Sequence, residues 1–379
     1  MKLGFITTFD INDVHKRSGT PFYMAKALEQ AGIELDYIDS LKTKLPANFK
    51  WKRFCQRLLG AQENSSRFNT YAMKHYAAQI QKKLIGKNVQ ALVAHILNPI
   101  AYLDCKEPIV LWTDAVYASL IGFYQGLSYH SAETIVQANQ MTRESLSRCR
   151  LAIFSSDWAA HNAIELYGAD KDKIKVVPFG ANIECNHTLF DIQAMLKTRS
   201  RQTVKLLFLG KEWERKGGET VLAVAKALHA AGHTVELNLI GCQPPATVEI
   251  PSYVNCLGYI SKRTPEGIAQ ITQLLRESHF LFVPSRAEAF GIVFCEANAF
   301  GLPCLTSYVG GISTIVKDNV NGMTFSLGAS PQQYCEYIMQ LMQNYSRYEE
   351  LALSSFNEYE KRLNWNVATQ AVKQLIKEM

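Results

Sequence analysis

Short apolar runs alternate with helix-length amphipathic stretches along this chain, and about halfway through the alternation starts again. In the first half Leu3–Thr8, Ile33–Ile38, Val89–Ala94, Pro108–Trp112, Leu151–Ser155 and Ile174–Val177 read as strands. Near-continuous apolar runs of this length suit strands buried on both faces of a sheet. After the polar loop Asp10–Gly19, Thr20 reads as a helix N-cap, Pro21 as the first helical residue and Gly32 as the C-cap. In the second half Val204–Leu209, Val235–Ile240, Phe280–Ser285 and Leu302–Ser307 read as strands. Helices are expected over Glu219–Ala231, from Thr264-Pro265 to about Ser278, and over Gly291–Phe300. The alternation predicts a mostly parallel, helix-covered α/β sheet, and its restart predicts a second one. At 379 residues each sheet has enough chain for its own core. The segment Pro178-Phe-Gly-Ala-Asn182, followed by a polar helix or linker to about Gln202, marks the junction. The expected domains are residues 1–182 and 183–361.

Composition narrows the class of protein. Apolar residues make up 47% of the chain, yet no run approaches the roughly 18 apolar residues of a membrane span. Met1–Thr8 turns polar too soon for a secretion signal and reads as the first strand. Nine cysteines form no C-x-x-C and no metal spacing, so reduced thiols in a cytoplasmic protein are expected. The net charge of +6 is unevenly spread. Residues 41–90 hold eleven Lys or Arg against one acid, Glu63, so this segment carries +10 and the remainder −4. Such asymmetry points to an anionic partner for one face. The basic residues accompany no nucleic-acid module, and no nucleic-acid partner is expected.

The chemistry concentrates in Arg286-Ala-Glu-Ala-Phe-Gly-Ile-Val-Phe-Cys-Glu296. Glu288 falls on the loop after the strand and Glu296 about two turns inside the following helix. Ligands of open α/β sheets sit beyond the carboxyl ends of strands, and a helix N-terminus there favours an anion. Two carboxylates beside it suit a ligand that carries hydroxyls as well as charge, such as a sugar nucleotide. After the earlier strand lies Gly210-Lys-Glu-Trp-Glu-Arg-Lys-Gly217, a glycine-flanked basic loop whose Lys211 and Lys216 suit a diphosphate. Without its surroundings, each of these groups reads as a solvated charge.

Glu288-x7-Glu296, joined to Pro284-Ser285, Phe290-Gly291, Gly301-x-Pro303 and Gly310-Gly311, resembles the donor-binding signature of family 4 glycosyltransferases. The resemblance is densest over residues 204–326 and looser through residues 1–32 and 155–182. It implies a GT-B fold, two Rossmann-like domains facing across a cleft, with a terminal helix at about 362–379 crossing back onto the first domain. It implies a retaining, metal-independent sugar transfer from a nucleotide-diphosphate donor to an acceptor hydroxyl, with the nucleotide sugar as co-substrate and no cofactor. Lys211 and Lys216 then bind the donor phosphates and Gly19 closes a glycine-containing loop over them. Glu296 holds the ribose hydroxyls, and Glu288, with Phe290 and Gly291, holds the transferred sugar. Catalytic roles fall to Asp114, Lys216 and Glu288.

The chain departs from the family at three points. Lys211 stands where Arg is usual and cannot make the planar two-pronged contact. The histidine many members carry after the strand at Pro108–Trp112 is absent, and Asp114 lies there instead. Asp114 either steers the acceptor hydroxyl and stabilises charge on the sugar ring, or caps a helix over Ala115–Phe123. The double glycine continues Gly310-Gly-Ile-Ser-Thr314, without the usual acid. A catalytically silent nucleotide-sugar-binding module, a GT-B epimerase or phosphorylase and a soluble small-molecule transferase remain as rivals. Asp170-Lys-Asp172 is a turn rather than a metal motif, and Gly232 separates His229 from His233, so no metal is expected.

Within the basic segment, Trp51, Phe54, Cys55, Leu58 and Leu59 share one helical face flanked by Lys50, Lys52, Arg53 and Arg57. Two readings stay open for this face. It meets an anionic membrane surface or acceptor, placing the protein peripherally on the inner face of a membrane, or it packs on the first sheet.

Overall fold

The computed structural model describes residues 1–59, 62 and 64–379, with Ser128 in its backbone only. Residues 60, 61 and 63 of the basic segment lie outside the described residues. The chain forms two units, Met1–Pro178 with Ala368–Met379, and Phe179–Val367.

Six strands build the first unit: β1 Lys2–Ile6, β2 Glu34–Ile38, β3 Ala91–Ala94, β4 Ile109–Thr113, β5 Cys149–Phe154 and β6 Ile174–Val176. All pair in parallel, in the spatial order β2-β1-β3-β4-β5-β6. The second unit has β7 Thr203–Leu209, β8 Thr234–Ile240, β9 Val254–Gly258, β10 Phe280–Val283, β11 Cys304–Ser307 and β12 Gly322–Phe325. These too are parallel, ordered β12-β11-β10-β7-β8-β9. Parallel strands need crossover helices on both faces, which is why β3, β4, β10 and β11 are buried throughout. Each sheet is a Rossmann-like layer, so the chain carries two Rossmann-like units.

The edge strands β9 and β12 have no counterpart in the sequence reading. Both are half-exposed, so Val254-Asn-Cys-Leu-Gly258 and Gly322-Met-Thr-Phe325 lack the continuous apolar signal of the central strands. The polar stretch after the junction is a helix, Leu189–Thr198, started by a reciprocal capping box between Thr188 and Asp191.

The junction itself lies at Pro178, four residues before the expected boundary. Phe179 stacks on Trp365 with ring centroids 5.7 Å apart, and the Trp365 indole N–H donates to Asn182 Oδ1 at 3.0 Å. The Ala181 N–H donates to the Leu363 carbonyl at 3.1 Å. These contacts bind Phe179–Asn182 into the second unit. The terminal helix runs over Trp365–Lys377, and from Ala368 onward it belongs to the first.

Three local expectations are corrected. Thr20 is the first residue of the helix Thr20–Gln30, whose cap is Gly19 in the left-handed region. Ala115–Phe123 is no continuous helix: Tyr117–Leu120 forms one short turn with Val116 as its cap, so Asp114 does not cap it. The helix after Gly291 is Ile292–Asn298, which makes Glu296 its fifth residue rather than one two turns in.

Arg199 stitches the second unit below the site. Its buried guanidinium donates to the carbonyls of Phe300 and Gly301 at 2.9 Å, to Arg276 at 3.1 Å and to the Tyr348 hydroxyl at 2.7 Å. The first two belong to the turn that follows the helix Ile292–Asn298. Replacing it, Arg199→Met, strands these acceptors inside the protein. The expected loss is about 3 kcal/mol, read from the urea midpoint of the second unit's unfolding.

Candidate functional site

In the second sheet β7 lies between β8 and β10, so the crossovers leave it in opposite directions. In open α/β sheets such a reversal is where ligands sit, beyond the carboxyl ends of the strands, here β7 and β10. The loops after these two strands are the ones that carry Lys211 and Lys216, and Glu288.

The two loops are fastened to each other. The Arg286 N–H donates to the Arg215 carbonyl at 2.7 Å, and the Arg215 guanidinium donates back to the Ala287 carbonyl at 2.9 Å. Gly217, at φ +75°, passes so close that a Cβ there would lie 2.2 Å from the Pro284 carbonyl oxygen. Only glycine permits both that φ and that approach.

Lys216 and Glu288 meet at this seam. The Lys216 ammonium donates to Glu288 Oε2, both side chains being nearly buried, and Arg215 stands 3.5 Å from the same oxygen. The Gly311 N–H donates to the Glu288 carbonyl at 3.1 Å, which brings the double-glycine turn after β11 to the same spot. Phe290 is buried edge-on against Phe179, centroids 5.2 Å apart, and Gly291 at φ +95° turns the chain into the helix. Lys211 is not part of this cluster. It is exposed, with its ammonium 5.5 Å above the ring of Tyr259.

Glu296 is only 2% exposed and is held by a residue the sequence reading passed over. Lys262 donates to Glu296 Oε1 at 2.5 Å and to the Asn182 carbonyl at 3.3 Å. Lys262 lies between β9 and the helix Pro265–Glu277, in a stretch with no motif around it. The one available signal is that a buried carboxylate requires a cation, and this signal does not say which one. Both motif carboxylates are thus engaged by lysines. Each retains a second oxygen for a ligand hydroxyl.

Gly19 and Asp114 belong to the first unit. Arg17, Ser18 and Gly19 take φ values of +51°, +57° and +83° in succession after β1. Two non-glycine residues in that region store strain, a feature of ligand-gripping loops. Asp114 is half-buried at the carboxyl end of β4. At the end of β3, sequence reasoning missed His95, which is buried with Nδ1 3.3 Å from the Ile6 carbonyl oxygen. Burial, with Arg17 beside it, pushes its pKa down to about 3, so the imidazole is neutral and serves as a hydrogen-bonding group.

Asp170 and Asp172 form a capped turn, Asp170 accepting from the Asp172 N–H at 3.1 Å. Among the described residues no group of three His, Cys, Asp or Glu is arranged to hold a metal ion.

Residues 203–344 match the family described as Glycosyl transferases group 1. Over 223 residues the chain is 27% identical to D-inositol 3-phosphate glycosyltransferase of Xylanimonas cellulosilytica, covering 56% of this chain and 53% of that protein. The chain spans about half the length of the curated relatives it matches. Among solved structures, sucrose-phosphate synthase from Thermosynechococcus elongatus shares the fold at a TM-score of 0.74 and 14% identity, over 100% of this chain and 98% of that one. Anabaena Alr3699/HepE in complex with UDP and glucose does so at 0.64 and 15%, over 100% and 99%. At these identities the likeness is one of fold.

Proposed function

We propose that the chain is a family 4 glycosyltransferase of GT-B fold, moving a sugar from a nucleotide-diphosphate donor to an acceptor hydroxyl with retention of configuration; the match to the glycosyl transferases group 1 family over residues 203–344 and the likeness in fold support this reading. The observation that carries this reading is the meeting of Lys216 and Glu288 at the strand-order reversal of the second sheet, with Glu296 four positions into the adjoining helix. A nucleoside diphosphate is the donor class supported by the Anabaena protein, which binds UDP, glucose and UDP-glucose in the same fold.

In this mechanism Glu296 orients the ribose through its free oxygen. Lys216 turns from Glu288 to the diphosphate as charge grows on the leaving group, while Lys211 adds charge at the entrance. Glu288, relieved of Lys216 and still beside Arg215, accepts from the sugar hydroxyls, with Phe290 and Gly291 forming the wall. Attack comes from the face the diphosphate leaves, and a donor phosphate oxygen takes the acceptor's proton. Asp114 steers the acceptor or stabilises positive charge on the ring. The lysines neutralise the leaving group without a metal.

The test is incubation with a panel of radiolabelled nucleotide sugars. Glu296→Ala should weaken donor binding by about 1.5–3 kcal/mol, the worth of hydrogen bonds to a charged group. Lys216→Ala should chiefly lower turnover, by about a hundredfold. Unchanged kinetics in both variants would remove the assigned site, and binding without turnover in the wild type would favour a silent module. With EDTA the rate should equal that with added magnesium or manganese; loss on chelation, restored by metal, would sink the metal-independent route.

We also propose a lipid-linked or envelope acceptor met at an anionic membrane, with the protein peripheral on the inner face. The helix Phe49–Leu58 supports this. Trp51, Phe54, Leu58 and Leu59 are 68%, 51%, 71% and 81% exposed, so this face does not pack on the sheet. Lys50, Lys52, Arg53 and Arg57 flank it, in the manner of an interfacial helix. Among the described residues no helix is long and apolar enough to cross a membrane.

Each basic residue near a charged surface contributes about 1 kcal/mol, so changing all four to Gln should abolish co-sedimentation with anionic vesicles. Lys52 pairs with Glu133 at the surface, a contact worth little to folding, so the variant should stay folded. Wild-type protein left in the supernatant at low salt would overturn the membrane reading.

A further inference from the structure

Lys262 has a role that neither the diphosphate nor the transferred sugar requires. It is part-buried, and its ammonium bridges Glu296 Oε1 at 2.5 Å and the Asn182 carbonyl at 3.3 Å. Asn182 is fully buried and fixed in turn, its Oδ1 accepting from the Trp365 indole at 3.0 Å. Trp365 lies flat against Phe179, and Phe179 meets Phe290 edge-on. The Lys262 ammonium is therefore held from two sides by a rigid frame, and that frame sets where the Glu296 carboxylate points.

We infer that Lys262 is the positioning residue for ribose recognition: it anchors one oxygen of Glu296 and so aims the other at the ribose hydroxyls. The inference rests on the donor reading above and adds the group that makes Glu296 selective. A carboxylate accepts through two oxygens, and an ammonium donates from a single point. With Oε1 bound to Lys262, Oε2 is left as the sole directed acceptor. A vicinal diol then fits, because its hydroxyls must donate into that one oxygen and the lone pairs remaining beside it. Without Lys262 the carboxylate is buried and uncompensated, so it turns toward other donors and loses its aim. Lys216 does not substitute, because it is bonded to Glu288 on the neighbouring loop.

The position also separates Lys262 from a purely structural lysine. An ion pair that only stabilised the helix would leave a ligand's hydroxyls irrelevant to its worth. A positioning pair makes the two interdependent, and a double cycle across protein and ligand measures this directly.

The experiment is calorimetric titration of UDP, GDP and ADP, and of their 2′,3′-dideoxy forms, into the full chain and its Lys262→Met and Lys262→Arg variants. In the wild type, removing the ribose hydroxyls should weaken binding of the preferred nucleotide by about tenfold or more, the worth of hydrogen bonds to a charged acceptor. In Lys262→Met that dependence should fall to within about twofold, because the acceptor is no longer aimed. Lys262→Arg, which retains the cation, should restore most of it. Turnover at saturating donor should change far less than KM in Lys262→Met. Full hydroxyl dependence in Lys262→Met overturns the inference, and so does a lowered melting temperature with that dependence intact, which would assign Lys262 to folding alone. If no nucleoside diphosphate binds the wild type, the donor reading fails and the inference falls with it. If nucleotides bind without any hydroxyl dependence, the ribose assignment and this inference fail while the donor reading stands.

Discussion

The contact between Lys216 and Glu288 is where the second unit turns from a folded sheet into a site. It joins the loops after β7 and β10, which become neighbours only because the strand order reverses between them. A buried ion pair of this kind does little for net stability, since desolvation offsets most of its attraction. Its effect is on geometry. The Arg286 backbone N–H and the Arg215 guanidinium hold the loops together apart from the Lys216–Glu288 pair, and the pair decides which groups are free at the seam. In the proposed mechanism a diphosphate would compete for the lysine and release the carboxylate toward ligand hydroxyls, so one exchange of partners would prepare both halves of the site.

The site is closely balanced in charge. Lys216 and Arg215 face Glu288, and Lys262 faces Glu296. Lys211, exposed and resting over Tyr259, is more accessible to solvent than the buried Lys216. Its flexible, strongly hydrated ammonium suits attraction at a distance better than the fixed two-pronged grip of a guanidinium.

How much of this was legible in the sequence depended on whether a residue's role is local. Phe280-Leu-Phe-Val283 announces a buried central strand because burial on both faces demands a continuous apolar run. The edges β9 and β12 give no such run and were missed. Glu288, Glu296 and Lys216 could be singled out because motif spacing records a loop's shape. Lys262 was not, because its partnership with Glu296 spans 34 residues and is made by the fold alone. The junction was misplaced for the same reason. Phe179–Asn182 reads as a hinge by composition, while its binding partner Trp365 lies 183 residues beyond Asn182. The outward turn of Trp51 and Leu58 was equally invisible, since periodicity identifies an amphipathic face without saying what covers it.

The division of the chain has a consequence for how the molecule is made. The second unit is a single continuous stretch, whereas the first is completed only by Ala368–Met379. There Val372 is buried and the Lys373 ammonium donates to the Ala31 carbonyl, which caps the end of the first helix. On the ribosome, domains generally fold in the order they emerge. Here the sheet of the first unit needs a helix made after the whole of the second unit, so the second unit can reach its final form while the first is still one element short. A nascent chain of this protein matures from its second half backward.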